Sequence, residues 1–512
     1  MPQHGEHAWL ELVRAQVLRR DMPRALELLS QALREYPAST ALRRTQAGIL
    51  QLSGRAGQAE AIFRDLLEQS PADAASAFSL ARILKEEGRT AAAAKVLSAC
   101  FTAGTFAADL AISAIELLDE TNRKHDAALI CESAIAAHPD DTGLHAYAGM
   151  LAIQLGEFER ARLHYTFTLE RDPRAFEWHV PIGLSNTLRY RNPDHPDFAL
   201  FRAGLARTDL SDLARAELHF ALGKANDDIG DYERAARHFL EGNAIRKRIG
   251  NWSRKAWRRL VEARLASKPL IAAAKPVDGF TPVFILGMPR TGTTLLAELL
   301  SRYPEVRNRG ELPWLARLAQ QPDLCGQPDA ASLQQAAHRY LTQARQDDAA
   351  DARWFLDKQP LNFRYVDLAL AMFPDAKIIH CRRNPRDTAL SLWMQCFLED
   401  VQGYAYDFDD IALVMQDERK LMEHWRGLYP DSIETVRYEE LVASPEATTA
   451  AKAAWMRLDT TRLAGADLAA APAGSISTAS LWQARQPIHS NSVGRWKNYA
   501  PFIPQLASTA FA

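Results

Sequence analysis

The sequence predicts two structural halves of different class. We expect residues 1–250 to form an α-helical solenoid of repeats, residues 251–280 a linker, and residues 281–512 an α/β domain with a parallel sheet. The first half is predicted by alanines that recur every 34 residues, a period typical of helical repeats. The second half is predicted by short β-branched and aromatic runs that alternate with helical segments, which is typical of parallel sheets.

The composition is that of a globular protein with several domains. The chain has 512 residues, of which 47% are hydrophobic, and this excludes a disordered or collagen-like chain and exceeds what one core holds. The 61 Lys+Arg residues nearly balance the 63 Asp+Glu residues, so the net charge of −2 gives no general reason to expect nucleic acid or an anionic membrane surface. Any anion-binding site must therefore be local.

Cysteine usage and hydrophobic segments favour a cytoplasmic protein without a membrane span. The 5 cysteines are too scattered for a disulfide framework or a CxxC metal site, so we expect free thiols and a reducing compartment. The N-terminal residues lack the apolar run of a secretory signal. The longest charge-free segment, 468–484, has 17 residues and contains Pro472, whereas a span needs about 20 apolar residues.

The first half is built from 34-residue units. In each unit an alanine is followed four residues later by a larger side chain, and most units end at a proline. The alanines are Ala25, Ala59, Ala93, Ala127 and Ala161, the larger residues Leu29, Phe63, Leu97, Cys131 and Tyr165, and the prolines Pro37, Pro71, Pro139 and Pro173. The alanine lets the second helix of a hairpin pack closely on the first, and the proline ends that second helix.

These units resemble the tetratricopeptide repeat (TPR). The pattern covers residues 6–173, an irregular unit follows at 174–210, and an off-register copy lies at Gly230–Ala236. A bundle of alanine-rich hairpins is the alternative, but it does not explain five alanines in register. The resemblance implies a concave surface that binds a protein or peptide partner, which the repeats themselves do not identify.

The second half begins with a buried strand. Pro282–Leu286 is a β-branched and aromatic run that stops at Gly287. A helix with apolar residues at helical spacing follows, and its leucines are Leu295, Leu296, Leu299 and Leu300. Further strands are predicted at Trp354–Leu356, Lys377–Cys381 and Ile433–Arg437, with a short extended segment around Val306.

An anion-binding loop joins this strand to its helix. In Gly287–Thr294, two glycines with four residues between them permit a tight turn whose backbone N–H groups point inward at a helix N-terminus. Compared with the nucleotide-triphosphate loop GxxxxGK[ST], Thr293 replaces the lysine, and Arg290 supplies a cation instead. Without that lysine a kinase or NTPase loses its main electrophile. An ordinary strand-to-helix turn is the alternative.

The segment Pro289–Leu295 resembles the 5′-phosphosulfate loop of sulfotransferases that use 3′-phosphoadenosine 5′-phosphosulfate (PAPS). The arginine-containing variant is similar to that of tyrosylprotein sulfotransferases and of bacterial proteins that join TPR units to such a domain. The resemblance covers residues 275–500 and implies the P-loop-like sulfotransferase fold, with PAPS as co-substrate and no metal. It assigns cofactor contacts to Arg290, Thr291, Gly292, Thr293 and Thr294.

Further segments match cofactor-binding positions of this family. An arginine and a serine eight residues apart hold the 3′-phosphate in the family, which assigns that role to Arg383 and Ser391. Tyr438 matches a cofactor-contacting tyrosine. Ser492 and Arg495 lie in a C-terminal segment that resembles the loop closing over PAPS, although the residue before Arg495 is glycine where the tyrosylprotein enzymes carry serine. A solvated basic strand end is the alternative for Arg383 and Ser391, and an ordinary capped surface loop is the alternative for Ser492 and Arg495.

The resemblance also assigns three catalytic residues. Glu311 is similar to the catalytic glutamate of tyrosylprotein sulfotransferases and would act as general base. Arg290 and Lys358 would neutralise charge on the transferred and leaving groups. Otherwise, Glu311 is an ordinary first-turn carboxylate and Lys358 an exposed loop lysine. The residues that each follow a different predicted strand are Arg290, Lys358, Arg383 and Tyr438. In a parallel sheet such positions share the ligand-binding edge.

The leading functional hypothesis is a PAPS-dependent sulfotransferase that acts on a hydroxyl group. Protein or peptide tyrosine is the candidate acceptor, and the TPR half would bind that acceptor or a partner. A P-loop nucleotide kinase or NTPase is the second hypothesis, and a non-catalytic TPR scaffold with a nucleotide-binding domain is the third. The acceptor and the oligomeric state are not predicted, and no metal, nucleic acid or membrane span is expected.

Overall fold

The structure is a computed structural model that describes residues 5–267, 269–271, 273–347, 352–397, 400–458 and 488–511. It contains two compact units. The first comprises Met1–Leu144 with Gln346–Asp348, and the second comprises His145–Arg345 with Ala349–Ala512. In the described part of the chain, no helix combines the length and the apolar character needed to cross a lipid bilayer.

The first unit consists of helical hairpins, as the 34-residue period predicts. Its helices are α1 (Glu6–Leu18), α2 (Met22–Glu35), α3 (Thr40–Leu52), α4 (Ala56–Gln69), α5 (Ala74–Glu86), α6 (Thr90–Ala103), α7 (Ala108–Glu120) and α8 (Lys124–Ala137). They pack in consecutive pairs. The periodic alanines of this unit lie on the second helix of each pair and are completely buried. The fold class predicted for the first half is therefore confirmed.

A residue in the left-handed backbone region recurs in the turn within each hairpin. These residues are Arg20, Gly54, Gly88 and Asn122, with φ between 59° and 75°. They are spaced 34 residues apart and lie five residues before the periodic alanines. Glycine adopts this conformation without a Cβ clash, and the same turn is kept where a hairpin has arginine or asparagine instead.

The second unit continues with helices before it reaches the sheet. Helix α9 (Thr142–Leu155) leads into α10 (Phe158–Arg171), α11 (Val180–Ser185), α12 (Pro196–Ala206), α13 (Asp212–Asp228), α14 (Tyr232–Ile249) and α15 (Arg254–Leu265). The off-register repeat forms the hairpin α13–α14, in which Ala235 and Phe239 are buried. Helix α15 lies within the predicted linker and begins where Ser253 Oγ accepts a hydrogen bond from Ala256 N.

The sheet of the second unit has five described strands, all parallel. They are β1 (Thr281–Gly287), β2 (Val306–Asn308), β3 (Trp354–Asp357), β4 (Lys377–Arg382) and β5 (Ile433–Arg437). Their order is β2-β3-β1-β4-β5, and the register pairs Phe284 with Asp357 and Gly287 with Cys381. The predicted parallel sheet is therefore confirmed, with β1 buried at its centre.

Helices cover both faces of this sheet. They are α16 (Thr293–Leu300), α17 (Trp314–Leu318), α18 (Ala330–Arg345), α19 (Val366–Met372), α20 (Pro385–Trp393), α21 (Phe408–Leu428), α22 (Tyr438–Ala443), α23 (Pro445–Trp455) and α24 (Trp496–Tyr499). Val283 and Ile285 of β1 pack in one core and Phe284 and Leu286 in another, as the alternation of a strand requires.

The core that contains Phe284 extends into the last helical hairpin. Phe220 of α13 and Phe239 of α14 belong to it, and the Phe239 ring lies 5.8 Å from the Trp393 ring of α20. Trp257 of α15 donates a hydrogen bond of 3.1 Å to the Asp417 carboxylate of α21. Helices α13 to α15 are thus packed as part of the α/β fold rather than as a separate module.

The close packing at the periodic alanines can be tested on helix α4. Ala59→Leu is expected to lower the free energy of unfolding by about 1–3 kcal/mol, because Ala59 is completely buried and extra methyl groups overpack the helix contact. Ala61→Leu on the same helix is the control, since Ala61 is exposed. Thermal unfolding measured by calorimetry compares the two, and equal effects would show that the periodic alanine is not a packing constraint.

Candidate active site

The loop after β1 depends on two glycines for its shape. Gly287 has φ 136°, and a Cβ there would lie 2.3 Å from the Cys381 carbonyl oxygen of β4. Gly292 has φ 90°, and a Cβ there would lie 2.7 Å from the Tyr438 ring. Only glycine, which has no Cβ, allows strand β4 and the Tyr438 ring to approach the loop backbone this closely. The loop leads directly into α16, as the sequence predicts.

Arg290 lies inside this loop in a left-handed conformation, with φ 73°. It is 8% exposed, and its Nε donates a hydrogen bond of 3.0 Å to Ser391 Oγ. Burial, followed by the positive charge of Arg383, lowers the pKa of Arg290 to about 10. The next residue, Thr291, instead donates its hydroxyl to the Met288 carbonyl at 2.7 Å. The loop thus directs a cation, and not Thr291, toward the sheet edge.

Arg383 follows β4 and connects the loop to the C-terminal segment. Its two Nη atoms donate to the Arg290 carbonyl at 3.1 Å and to the Ser492 carbonyl at 2.6 Å. Its guanidinium carbon lies 4.6 Å from the centre of the Tyr438 ring. Burial lowers its pKa, and among the described residues its buried Nε has no hydrogen-bond partner. This Nε is therefore a hydrogen-bond donor that remains available at the edge of the sheet.

These side chains line one open pocket at the carboxyl edge of the sheet. Its empty space, counted together with the open solvent at its mouth, is about 840 Å³. The predicted residues that it brings together are Arg290, Gly292, Thr293, Thr294, Arg383, Ser391, Tyr438, Ser492 and Arg495. Its other lining residues are Leu295, Asp387, Leu390, Met394, Val442, Ile488 and His489. The lining thus combines three guanidinium groups with one carboxylate and an apolar wall.

The carboxylate of Asp387 attaches the C-terminal segment to the start of α20. Its two oxygens accept hydrogen bonds from Gly494 N at 2.7 Å and Trp496 N at 3.0 Å. The Arg386 guanidinium carbon stacks 4.7 Å from the centre of the Trp496 ring. This role of Asp387 is not predictable from sequence, because an acidic residue in the first turn of a helix is ordinary. The part of segment 446–500 at 459–487 lies outside the described residues.

Glu311 and Lys358 contact each other rather than the pocket lining. Lys358 follows β3, its side chain is 2% exposed, and its Nζ donates to Glu311 Oε1. Its backbone N also donates to the Gly310 carbonyl at 2.8 Å, which holds the two loops together. Neither Glu311 nor Lys358 is among the residues that line the pocket described above. Lys358 is buried, whereas its alternative as a loop lysine required exposure.

Asp357 holds the backbone next to Glu311 and Lys358 in place. Its carboxylate accepts hydrogen bonds from Tyr340 Oη at 2.7 Å and from Asn362 Nδ2 at 3.1 Å. It also accepts from Leu312 N at 3.4 Å and from Gln359 N at 3.1 Å, the residues that directly follow Glu311 and Lys358. Burial raises the pKa of Asp357 to about 7, although these hydrogen bonds act in the opposite direction.

The arrangement defines an α/β protein with a glycine-containing loop and an arginine-lined pocket at the carboxyl edge of its central strands. Residues 282–462 match the model of the sulfotransferase family. This match falls in the C-terminal half of the chain, where the loop motif predicts it.

Individual proteins are similar to parts of the chain. An uncharacterized protein of Aquifex aeolicus is 33% identical over 240 residues, which make up 43% of this chain and 31% of that protein. The protein-tyrosine sulfotransferase of Drosophila melanogaster is 26% identical over 191 residues, 34% of this chain and 36% of that protein. The sulfotransferase domain of the Synechococcus PCC 7002 olefin synthase matches with a TM-score of 0.32 and 19% identity, over 45% of this chain and 91% of that one. The chain spans about a third of the length of these two curated relatives.

The raised pKa of Asp357 predicts a pH-dependent contribution to stability. Because its pKa is about 7 in the folded chain and about 3.9 in an unfolded one, its contribution is complete below pH 3.9 and is lost as the pH rises through 7. The loss is on the order of 4 kcal/mol in the free energy of unfolding. In Asp357→Asn this titration is absent, so the difference in Tm, wild type minus variant, should fall between pH 4 and pH 7.

Calorimetry from pH 4 to pH 8 measures this difference. Asp375→Asn is the matched control, because Asp375 is exposed in the loop before β4. Its Tm profile should run parallel to that of the wild type. A parallel profile for Asp357→Asn as well would contradict the raised pKa.

Proposed function

We propose that this protein is a PAPS-dependent sulfotransferase that transfers a sulfuryl group to an acceptor hydroxyl. The observation that carries the proposal is the convergence of Arg290, Arg383 and Arg495 on one pocket at the carboxyl edge of the sheet. Three guanidinium groups suit a ligand with several anionic groups. The family match and the name of the Drosophila relative support sulfuryl transfer, and Thr293 in place of the P-loop lysine disfavours a kinase.

The donor set fits a bisphosphorylated nucleotide. In our proposal the backbone of the loop at Gly292 and the hydroxyls of Thr293 and Thr294 hold the 5′ end, where a helix N-terminus favours an anion. Arg383 and Ser391 hold the 3′-phosphate, because the Arg383 Nε is buried without a partner in the described structure. Ser391 accepts from Arg290, and a serine hydroxyl that accepts one bond still has a hydrogen to donate.

PAPS, when bound, would supply an activated sulfuryl group whose S–O bond to the 5′-phosphate breaks as the new bond to the acceptor oxygen forms. We propose that Glu311 takes the acceptor proton. Its Oε1 accepts from Lys358, which orients the carboxylate and leaves Oε2 to act as the base. Arg290 places positive charge beside the anion loop, where it would stabilise the developing negative charge.

We further propose protein or peptide tyrosine as the acceptor and the helical repeats as the segment that binds it or a partner. The support is the name of the Drosophila relative together with the repeated hairpins, since stacked helical repeats usually bind extended protein segments. Labelled PAPS offered to a peptide library, with tyrosine, serine and threonine members, would test this acceptor class. Labelling confined to small-molecule alcohols would contradict it.

Binding of adenosine 3′,5′-bisphosphate tests the donor site. Isothermal titration should detect binding by the wild type with or without EDTA, and Arg383→Ala should raise Kd about 10–100-fold, the size expected for charge-assisted hydrogen bonds. Arg382→Ala is the control, because Arg382 is exposed and outside the pocket lining. Magnesium-dependent binding of ATP without binding of the bisphosphate would favour the kinase hypothesis instead.

The proposed base is tested by Glu311→Gln. We expect the single-turnover rate of sulfuryl transfer to fall by about 10²–10⁴-fold, because the variant has no carboxylate to accept the proton. The Kd for the bisphosphate should change little, since Glu311 lies outside the pocket lining. Asp323→Asn, at an exposed position, controls for loss of one negative charge. A rate within threefold of wild type would remove Glu311 from the mechanism.

A further inference from the structure

Arg495, one of the three pocket arginines, is held by a residue of the helical half. Its Nη2 pairs with the Asp227 carboxylate, which lies near the end of α13 and is 9% exposed. The second oxygen of this carboxylate accepts a hydrogen bond of 2.6 Å from Tyr499 Oη. Both oxygens of Asp227 are therefore engaged by residues of the C-terminal segment, more than 260 positions later in the chain.

The surrounding packing makes this contact specific. The Tyr499 side chain is completely buried, and its ring lies 5.3 Å from the ring of Tyr232, the first residue of α14. Asp227 and Tyr232 flank the turn between the two helices of the last hairpin, so this turn presents one carboxylate and one aromatic face to the C-terminal segment. The neighbouring Asp228 instead pairs with Lys224 at 2.6 Å and accepts from Tyr190 N at 3.1 Å.

The electrostatic situation of the pocket explains why such a partner matters. Arg290, Arg383 and Arg495 repel one another, and burial adds to the free energy of keeping each charged. Asp227 is not among the lining residues, so its negative charge lies outside the pocket. A counter-charge at that place holds the orientation of the Arg495 guanidinium without occupying the pocket.

We propose that Asp227 is a positioning residue for the donor pocket, acting through Arg495. The hairpin α13–α14 then contributes to the nucleotide site, because its Asp227 orients Arg495. This inference rests on the proposed function, because it assigns the bisphosphate nucleotide as the ligand that Arg495 contacts. It adds a residue and a structural role that neither the anion loop nor the family match contains.

A double-mutant cycle on the full chain tests the inference. Asp227→Asn should raise the Kd for adenosine 3′,5′-bisphosphate about tenfold, because the amide keeps the shape but removes the charge that orients Arg495. Arg495→Gln alone should raise Kd by at least as much. Added to Arg495→Gln, the Asp227→Asn change should have no further effect, since the group through which it acts is gone. Asp228→Asn is the matched control and should bind within twofold of wild type.

Two binding results would each overturn the inference: wild-type affinity in Asp227→Asn, or an undiminished tenfold effect of Asp227→Asn in the Arg495→Gln background. Tyr499→Phe removes the phenol that fixes the other Asp227 oxygen and should raise Kd about threefold, which keeps the test available if Asp227→Asn does not fold. Hydrogen exchange of amides 492–499, measured without ligand, should be faster in Asp227→Asn, and an unchanged rate would also overturn the inference. Failure of the wild type to bind the bisphosphate would instead contradict the proposed function, while the exchange measurement would still decide whether Asp227 holds the segment.

Discussion

The concentration of like charge in one pocket is the constraint on which the site depends. Arg290, Arg383 and Arg495 converge at the edge of the sheet. Bringing these buried guanidinium groups together costs free energy, because burial and the neighbouring positive charges both disfavour the charged form. The partners that hold Arg290 and Arg383 include a serine hydroxyl, backbone carbonyls and an aromatic face, which are uncharged. Such partners fix geometry without neutralising charge. Carboxylates that act on these arginines are Asp387 and Glu439 at Arg383 and Asp227 at Arg495. The three guanidinium groups outnumber the one carboxylate in the pocket lining, which leaves net positive charge there for an anionic ligand.

The fold was predictable where structure follows from local pattern. The 34-residue alanine period locates the repeat helices because each alanine meets its neighbour within a hairpin, and the strand runs locate β1, β3, β4 and β5 within one or two residues. Helix α15 was not predicted, since it is stabilised by long-range contacts such as Trp257 with Asp417. Local pattern also did not predict that the hairpin α13–α14 packs into the core around Phe284. Phe220 and Phe239 belong to that core, but their sequence positions fit core residues of a helical repeat equally well.

The part of the site that was predictable is the part that the sheet topology brings together. Loops after parallel strands must meet at one edge, so Arg290, Arg383 and Tyr438 could be placed together before any coordinates. The three aspartates that support the site could not. Asp227, Asp357 and Asp387 act through partners such as Arg495, Tyr340 and Gly494, and sequence carries no sign of such pairings without knowledge of the fold. The sequence also carries no sign of the contact between Glu311 and Lys358, whose loops are joined by the backbone hydrogen bond from Lys358 N to the Gly310 carbonyl.

The left-handed backbone of Arg290 has a consequence for protein engineering. A residue with a Cβ in this region costs roughly 1–2 kcal/mol, which glycine avoids. Directed evolution that rewards heat resistance alone would therefore enrich Arg290→Gly, a change that relaxes the main chain and removes a guanidinium from the pocket. At this residue, a substitution that favours thermostability lowers the affinity for an anionic ligand. A library intended to make the protein more stable should leave Arg290 unchanged.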